Sequence, residues 1–128
     1  MKTILAVMLF GLPMGLPTVA HADYIDFFEI KLTDACKVSR EVQIARDIDT
    51  WATKYGYSTE LWIPVEAPSP HLGSIYWVAR IKDMATFGKL VDNFASEAQE
   101  PDSVAGKLLA RLSECEMVLS RSGYTTRK

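Results

Sequence analysis

Two side chains have the chemistry of a positioned acid or base. Asp26 interrupts the largely apolar stretch YIDFFEIKL at 24–32, and His71 lies in the proline-rich stretch EAPSPHLGS at 66–74. A carboxyl group on the buried side of a strand is desolvated, which favours its neutral form and equips it to take a proton. The bland reading of Asp26 is a place near the strand end, close to water. An imidazole titrates near neutral pH and serves as base or metal ligand. His71 is the one histidine after residue 22, and a lone loop histidine is more often simply solvated. Tyr24, Trp51, Tyr55, Trp62 and Trp77 have the character of a pocket for a flat apolar ligand. At helical and strand spacing, such aromatics are more often ordinary core.

Other chemistries lack their residues. No H-x-x-E-H or C-x-x-C spacing suggests zinc, no G-x-S-x-G suggests a serine hydrolase, and no glycine-rich phosphate loop is present. We expect neither metal nor cofactor. The two cysteines, Cys36 and Cys115, stand far apart in the sequence. That spacing does not suit a redox pair. In an oxidising compartment it reads as a structural disulfide.

The start of the chain argues for such a compartment. Lys2 is the only charge before Asp23, an apolar run from Ile4 to Leu16 is broken by Pro13, and Ala20-His21-Ala22 forms an A-x-A cleavage site. The apolar run is short of the roughly 20 residues a bilayer span needs. Residues 1–22 are therefore expected to be a signal peptide. Residues 23–128 would form one domain, periplasmic or secreted, with no membrane attachment after cleavage. Lys2 is one of 14 basic residues, so the remaining 13 face 16 acidic ones for a net charge of −3. That balance excludes a basic footprint for nucleic acid.

Period decides the elements. A strand over 24–32 precedes a helix from about Asp34, its expected cap, to Tyr55, ended by Gly56. Its apolar stripe runs Val38, Val42, Ala45, Ile48, Ala52 and Tyr55, widened by Ile44 and Trp51. Arg40, Glu41, Arg46, Asp47 and Asp49 fall on the solvated side. A second strand spans 59–65, with Pro64 marking it as an edge strand. After a loop, a third spans 75–81. Asp83 caps a helix carrying Met84, Phe87, Val91, Phe94 and Ala98. Pro101 breaks it, and a helix restarts at Asp102 or Ser103. A fourth strand spans 117–122, followed by a polar tail.

The order β-α-β-β-α-β is the ferredoxin-like arrangement of an α+β domain, with helices on one face of a four-stranded antiparallel sheet. In it the end of strand one meets the start of strand four, which brings Cys36 and Cys115 together. The helices leave Ile25, Phe27, Tyr76 and Val78 on the uncovered face. An apolar patch of that kind marks an interface, and a second copy of the same sheet is the economical cover. Glu29 and Arg80 share that face and suit an ion pair at the dimer interface better than catalysis.

The aromatic-rich strand that runs into K-D-M-A-T-F at 82–87, with Trp77, Asp83 and Phe87 in sequence, resembles the dimeric α+β barrel superfamily. It is similar in particular to antibiotic-biosynthesis-monooxygenase-like and NIPSNAP-like domains. The resemblance covers most of 24–122 and rests mainly on hydrophobic pattern. It implies a homodimer with ligand pockets between sheet and helices, but no single chemistry. Haem-handling members carry a ligand histidine on the second helix, and residues 84–115 contain none. Two classes of function remain. One is an exported protein that binds a small apolar or aromatic molecule. The other is a cofactor-independent monooxygenase, isomerase or cyclase acting on a small aromatic compound. The shortage of acid–base residues favours the first.

Overall fold

Tyr24–Leu32 alternates its side chains across two faces and forms β1, the strand around which the domain is built. In a computed structural model, which describes residues 23–66 and 71–126, four strands and three α-helices follow the order β1-α1-β2-β3-α2-α3-β4. The expected signal segment, 1–22, and residues 67–70 of the proline-rich loop lie outside the described residues. The sheet is antiparallel, in the order β2-β3-β1-β4. β2 is Ser58–Trp62, β3 is Ser74–Ile81 and β4 is Glu116–Thr125. This is the α+β ferredoxin-like fold, with β1 and β3 central and β2 on an edge.

The helices differ from their expected limits for local reasons. α1 is Val38–Ala52, and Asp34 does not cap it; Lys37 occupies that place without a side-chain hydrogen bond. Cys36 is bonded to Cys115, and Thr33 N–H donates to the Cys115 carbonyl at 2.9 Å. The chain is thus held to the end of α3 through residue 36, and the helix begins only beyond it. A 3₁₀ turn, Thr53–Tyr55, extends α1 to Gly56, whose φ of 66° is the left-handed conformation that glycine adopts without steric cost. α2, Met84–Glu97, starts at Asp83, whose carboxylate accepts from Thr86 N–H at 2.7 Å. α3, Val104–Cys115, starts at Ser103, whose hydroxyl accepts from Gly106 N–H at 2.9 Å.

The buried stripe of α1 is also rotated from the expected one. Glu41, Ile44, Ala45 and Ala52 are its buried residues, while Val38 is exposed. Glu41, expected on the solvated side, is completely buried. One core cluster joins Ile30, Ile44, Ala45, Ile75, Trp77 and Cys115; a second joins Tyr24, Ala52, Ile81, Phe87 and Leu90. In α2 the buried positions are Phe87 and Leu90, and Met84 is exposed.

β4 continues through 123–125, beyond the expected strand end at 122. β1 begins at Tyr24 and offers hydrogen-bonding groups over its whole length, so Tyr24 pairs with Thr125 and Ile25 with Tyr124. A Cβ at Gly123 would come against the Tyr24 ring and hydroxyl, so a larger residue there would have to displace that side chain. The β1–β4 register shifts between Glu29 and Ile30, a bulge that changes which β4 side chains face the helices.

Candidate functional site

A cavity of about 380 Å³ lies between the helix-facing side of the sheet and the helices. Its floor is Asp26 and Phe28 of β1, Trp77 of β3, and Glu116 and Arg121 of β4. Its roof comes from Trp51 of α1, Phe87 and Phe94 of α2, and Leu109 and Leu112 of α3, among others. The volume falls in the range of small-molecule sites, and the lining is mainly apolar with few polar groups, as such sites are.

The roof aromatics are held in place. Trp51 stands edge-on to Phe94 with ring centroids 5.2 Å apart, and its Nε1 donates to Glu97 Oε2 at 2.9 Å. Glu97 Oε1 accepts from Ala105 N–H at 3.2 Å, which ties α1, α2 and the start of α3 together. Tyr57, absent from the expected site, completes the wall beside Ala52. Burial, with the carboxylates Asp26 and Asp49 adding to it, pushes the Tyr57 phenol above its ordinary range.

Asp26 is 2% exposed, as its place on the inner side of a central strand requires. It is not a free base. Arg121 Nε donates to Oδ1 at 3.0 Å and Arg121 Nη2 to Oδ2 at 2.8 Å. Both oxygens of the carboxylate are thereby engaged in a two-point, charge-assisted pair. The guanidinium lies 4.6 Å from the Phe28 ring centroid and 5.6 Å from that of Phe87. Arg121 stands opposite Phe28 and reaches diagonally to Asp26.

A second polar group lies towards the other end of β1, where Leu32 pairs with Glu116. Glu41 Oε1 accepts from Trp77 Nε1 at 3.0 Å, while Glu41 Oε2 is buried with no donor from any group other than a protonated Glu116. Glu116 lies beside it. Desolvation first, then the charge of Glu41 and a hydrogen bond to it, push the Glu116 carboxyl up to about 8. Burial also raises Glu41, against the hydrogen bonds from Trp77 and Glu116 and the charge of Arg111. Two carboxyls in so dry a place favour holding one proton between them. Neither residue stood out in the sequence. Ile44, Ile48 and Trp51, taken as the centre of the α1 stripe, would have placed Glu41 inside.

Of the expected pocket residues, Trp51 and Trp77 line the cavity and three do not. Tyr24 packs on Phe87 at 4.8 Å between centroids, in the core beside the cavity. Tyr55 packs on Trp51 and accepts from Asn93 Nδ2 at 2.5 Å. Trp62 pairs with Tyr76 across β2 and β3 and so lies on the opposite face of the sheet, 48% exposed and edge-on to Phe27.

His71 also belongs to that opposite face. Its Nδ1 is 2.8 Å from Glu29 Oε1, which also accepts from Ser74 Oγ at 2.8 Å. The hydrogen bond to His71, followed by that from Ser74, holds the Glu29 carboxyl below its ordinary range. Asp26 and Glu29 point to opposite sides of β1, so His71 and Asp26 form no common site within the chain. Glu29 and Arg80 are not paired within the chain either: Arg80 is opposite Ile25, four positions from Glu29 along β1. On the same face Phe27 stacks on Tyr76 at 5.3 Å and meets Tyr124 edge-on at 6.4 Å. Val78, between Phe27 and Glu60, is already buried within the chain.

No protein-family model matches the chain, and no curated protein matches it. Solved structures do. An Arabidopsis thaliana protein is similar at a TM-score of 0.50 with 4% identity, over 84% of this chain and 94% of that one. A Thermobifida fusca protein described as a dimeric ferredoxin-like protein of unknown function is similar at a TM-score of 0.50 with 12% identity, over 84% and 92%. At such low identity the likeness is one of fold, and it places this chain among proteins of the ferredoxin-like fold.

Proposed function

We propose that the chain is an exported homodimer of the dimeric α+β barrel kind that binds a small apolar or aromatic molecule between its sheet and helices. The observation that carries this reading is the cavity of about 380 Å³ walled by Trp51, Trp77, Phe28, Phe87 and Phe94. The cavity is open on one side to solvent and lined mainly by apolar side chains, which is the character of small-molecule sites. The buried pair Asp26–Arg121 supports a binding role over an acid–base one, since a carboxylate held at both oxygens by a guanidinium is stabilised in its charged form and is a weak base. Among the described residues no helix is long and apolar enough to cross a membrane, and the Cys36–Cys115 bond suits an oxidising compartment.

The homodimer rests on the uncovered face. Trp62, Tyr124 and Met117 are about half exposed, and Phe27 lies among Tyr76, Trp62 and Tyr124. A second copy would remove these rings from water, and burying about 800 Å² per subunit makes an interface of standard size.

Thermal-shift and tryptophan-fluorescence titration with a panel of small aromatic compounds tests the pocket, because Trp51 and Trp77 form its wall. Binding should raise the melting temperature and change the emission. Leu112→Trp, which fills the cavity, should abolish both responses, and Asp26→Asn should alter binding more than His71→Ala. A panel without any response, or one unaffected by Leu112→Trp, overturns the reading.

A further inference from the structure

The wall of the pocket has a feature that a neutral aromatic ligand leaves unused. Glu116 is part of that wall, and Glu41 stands behind it with no solvent exposure. Trp77 supplies one donor to Glu41 Oε1, and Oε2 is buried with no donor beyond the proton that Glu116 can share. An unmet buried carboxylate oxygen is costly, and folds usually supply a cation or several donors to it. Here the neighbouring cations are committed elsewhere. Arg111 binds Asp47 at 2.6 Å, Arg121 binds Asp26, and Arg40 binds Glu114 at 2.6 Å. The proton of Glu116 is what remains to hold the two carboxyls together.

We propose that the pocket takes an aromatic primary amine, whose ammonium group docks on Glu116 and replaces the proton that Glu116 shares with Glu41. This rests on the reading of the cavity as a ligand pocket. An ammonium carries three donors and one positive charge, which suits a carboxyl pair with more acceptor oxygens than donors. The aromatic body would lie among Trp77, Phe28 and Trp51, and a cation beside the Trp77 ring gains further attraction. The Asp26–Arg121 pair is internally neutral and competes for neither charge.

The proton balance gives the site a signature. The amine arrives as ammonium, Glu116 gives up its carboxyl proton, and that proton leaves to solvent. The titratable group facing Glu116 is Glu41 from α1, on which Trp77 of β3 and Arg111 of α3 act in turn; Asp26 of β1 and Arg121 of β4 share the pocket wall. With Glu116 protonated up to about pH 8, amine binding below that pH should release close to one proton and strengthen as pH rises towards it.

The test is calorimetric titration of the purified protein near neutral pH with 2-phenylethylamine, 2-phenylethanol and 3-phenylpropanoate, in phosphate and in Tris. The amine should bind about tenfold or more tightly than the alcohol, the return expected from a charge-assisted contact. The acid should bind most weakly. The amine's heat should differ between the buffers in the sense of proton release. Glu116→Gln keeps the shape of the side chain; it should bring amine and alcohol to equal affinity and remove the proton release. Alcohol binding as tight as the amine, or an amine preference that persists in Glu116→Gln, overturns the inference and leaves the pocket standing. Amine binding to the wild-type protein without proton release does the same, whatever the variant's folding. Failure of all three compounds to bind overturns the pocket and the inference together.

Discussion

Asp26 and Arg121, 95 positions apart in sequence, form a two-point ion pair across β1 and β4, with Nε–Oδ1 at 3.0 Å and Nη2–Oδ2 at 2.8 Å. The carboxylate is 3% exposed at its side chain and the arginine 48%. The pair is therefore asymmetric: one member is buried and the other keeps contact with water.

Removing the exposed member should cost more than its exposure suggests. Arg121→Ala leaves a buried carboxylate without its partner, and breaking buried pairs costs several kcal/mol. Solvent screening at Arg121 reduces this, so we expect a loss of about 2 kcal/mol. Asp26→Asn should cost less, because the amide oxygen still accepts from the guanidinium. Urea unfolding measures both. An Arg121→Ala protein as stable as the wild type would mean that the pair contributes nothing to the fold.

Stability should fall as pH rises from about 5 to about 8. The Glu116 carboxyl is pushed up to about 8 from an ordinary value of 4.5. Between those values the folded state holds a proton that the unfolded state has lost, so each step up in pH favours unfolding. The contribution is fully present below 4.5 and gone above 8, a change of about 2 kcal/mol once partial solvent access is allowed for. Glu41 acts in the same direction. Glu29 and Asp47, both held below their ordinary range, act oppositely and only in acid, where their stabilisation is lost as they protonate. Chemical unfolding across this range is the measurement. Glu116→Gln should flatten the slope; a slope unchanged by that substitution would place the proton elsewhere.

The disulfide closes a span of 79 positions. Constraining an unfolded chain over that length stabilises the fold by at most about 4.5 kcal/mol on chain-entropy grounds. Reduction, or Cys36→Ser with Cys115→Ser, should lower the urea midpoint accordingly and loosen the start of α1. Thr33 and Arg40 still bind Glu114 by hydrogen bonds at 2.6–3.2 Å, so the sheet should persist. Intact mass of unreduced protein with alkylation reports the bond directly. Two alkylated cysteines in unreduced material would contradict it.

Phe27 and Phe28 should separate association from folding. Phe27 belongs to the uncovered aromatic group, and Phe28 lies in the pocket under Arg121. In a homodimer joined through the uncovered face, Phe27→Asp places an unpaired charge in the interface and should yield folded monomers. Phe28→Asp should lower subunit stability instead. Light scattering with circular dichroism distinguishes the outcomes. A wild-type monomer at micromolar concentration would show that no second copy covers this face.

What the sequence determined by itself was what local period and chain order control. A period of two assigns Asp26 and Phe28 to one face of β1 and Phe27 and Glu29 to the other, because alternation is built into an extended backbone. The order of elements determined which strand ends meet, and so the nearness of Cys36 to Cys115. Tertiary structure decided the polar chemistry. Arg121 reaches Asp26 only through the β1–β4 register, which the bulge at Glu29/Ile30 adjusts and no local pattern reveals. Glu41 is buried because the face of α1 that packs on the sheet carries it with Ile44 and Ala45, over Trp77; a charged residue next to an apolar stripe ordinarily faces water. Trp62 left the expected pocket because pairing with Tyr76, not alternation within β2, chooses which face of the sheet it joins. Each of these depends on contacts between distant segments, whose geometry is fixed only when the whole sheet and its helices have packed.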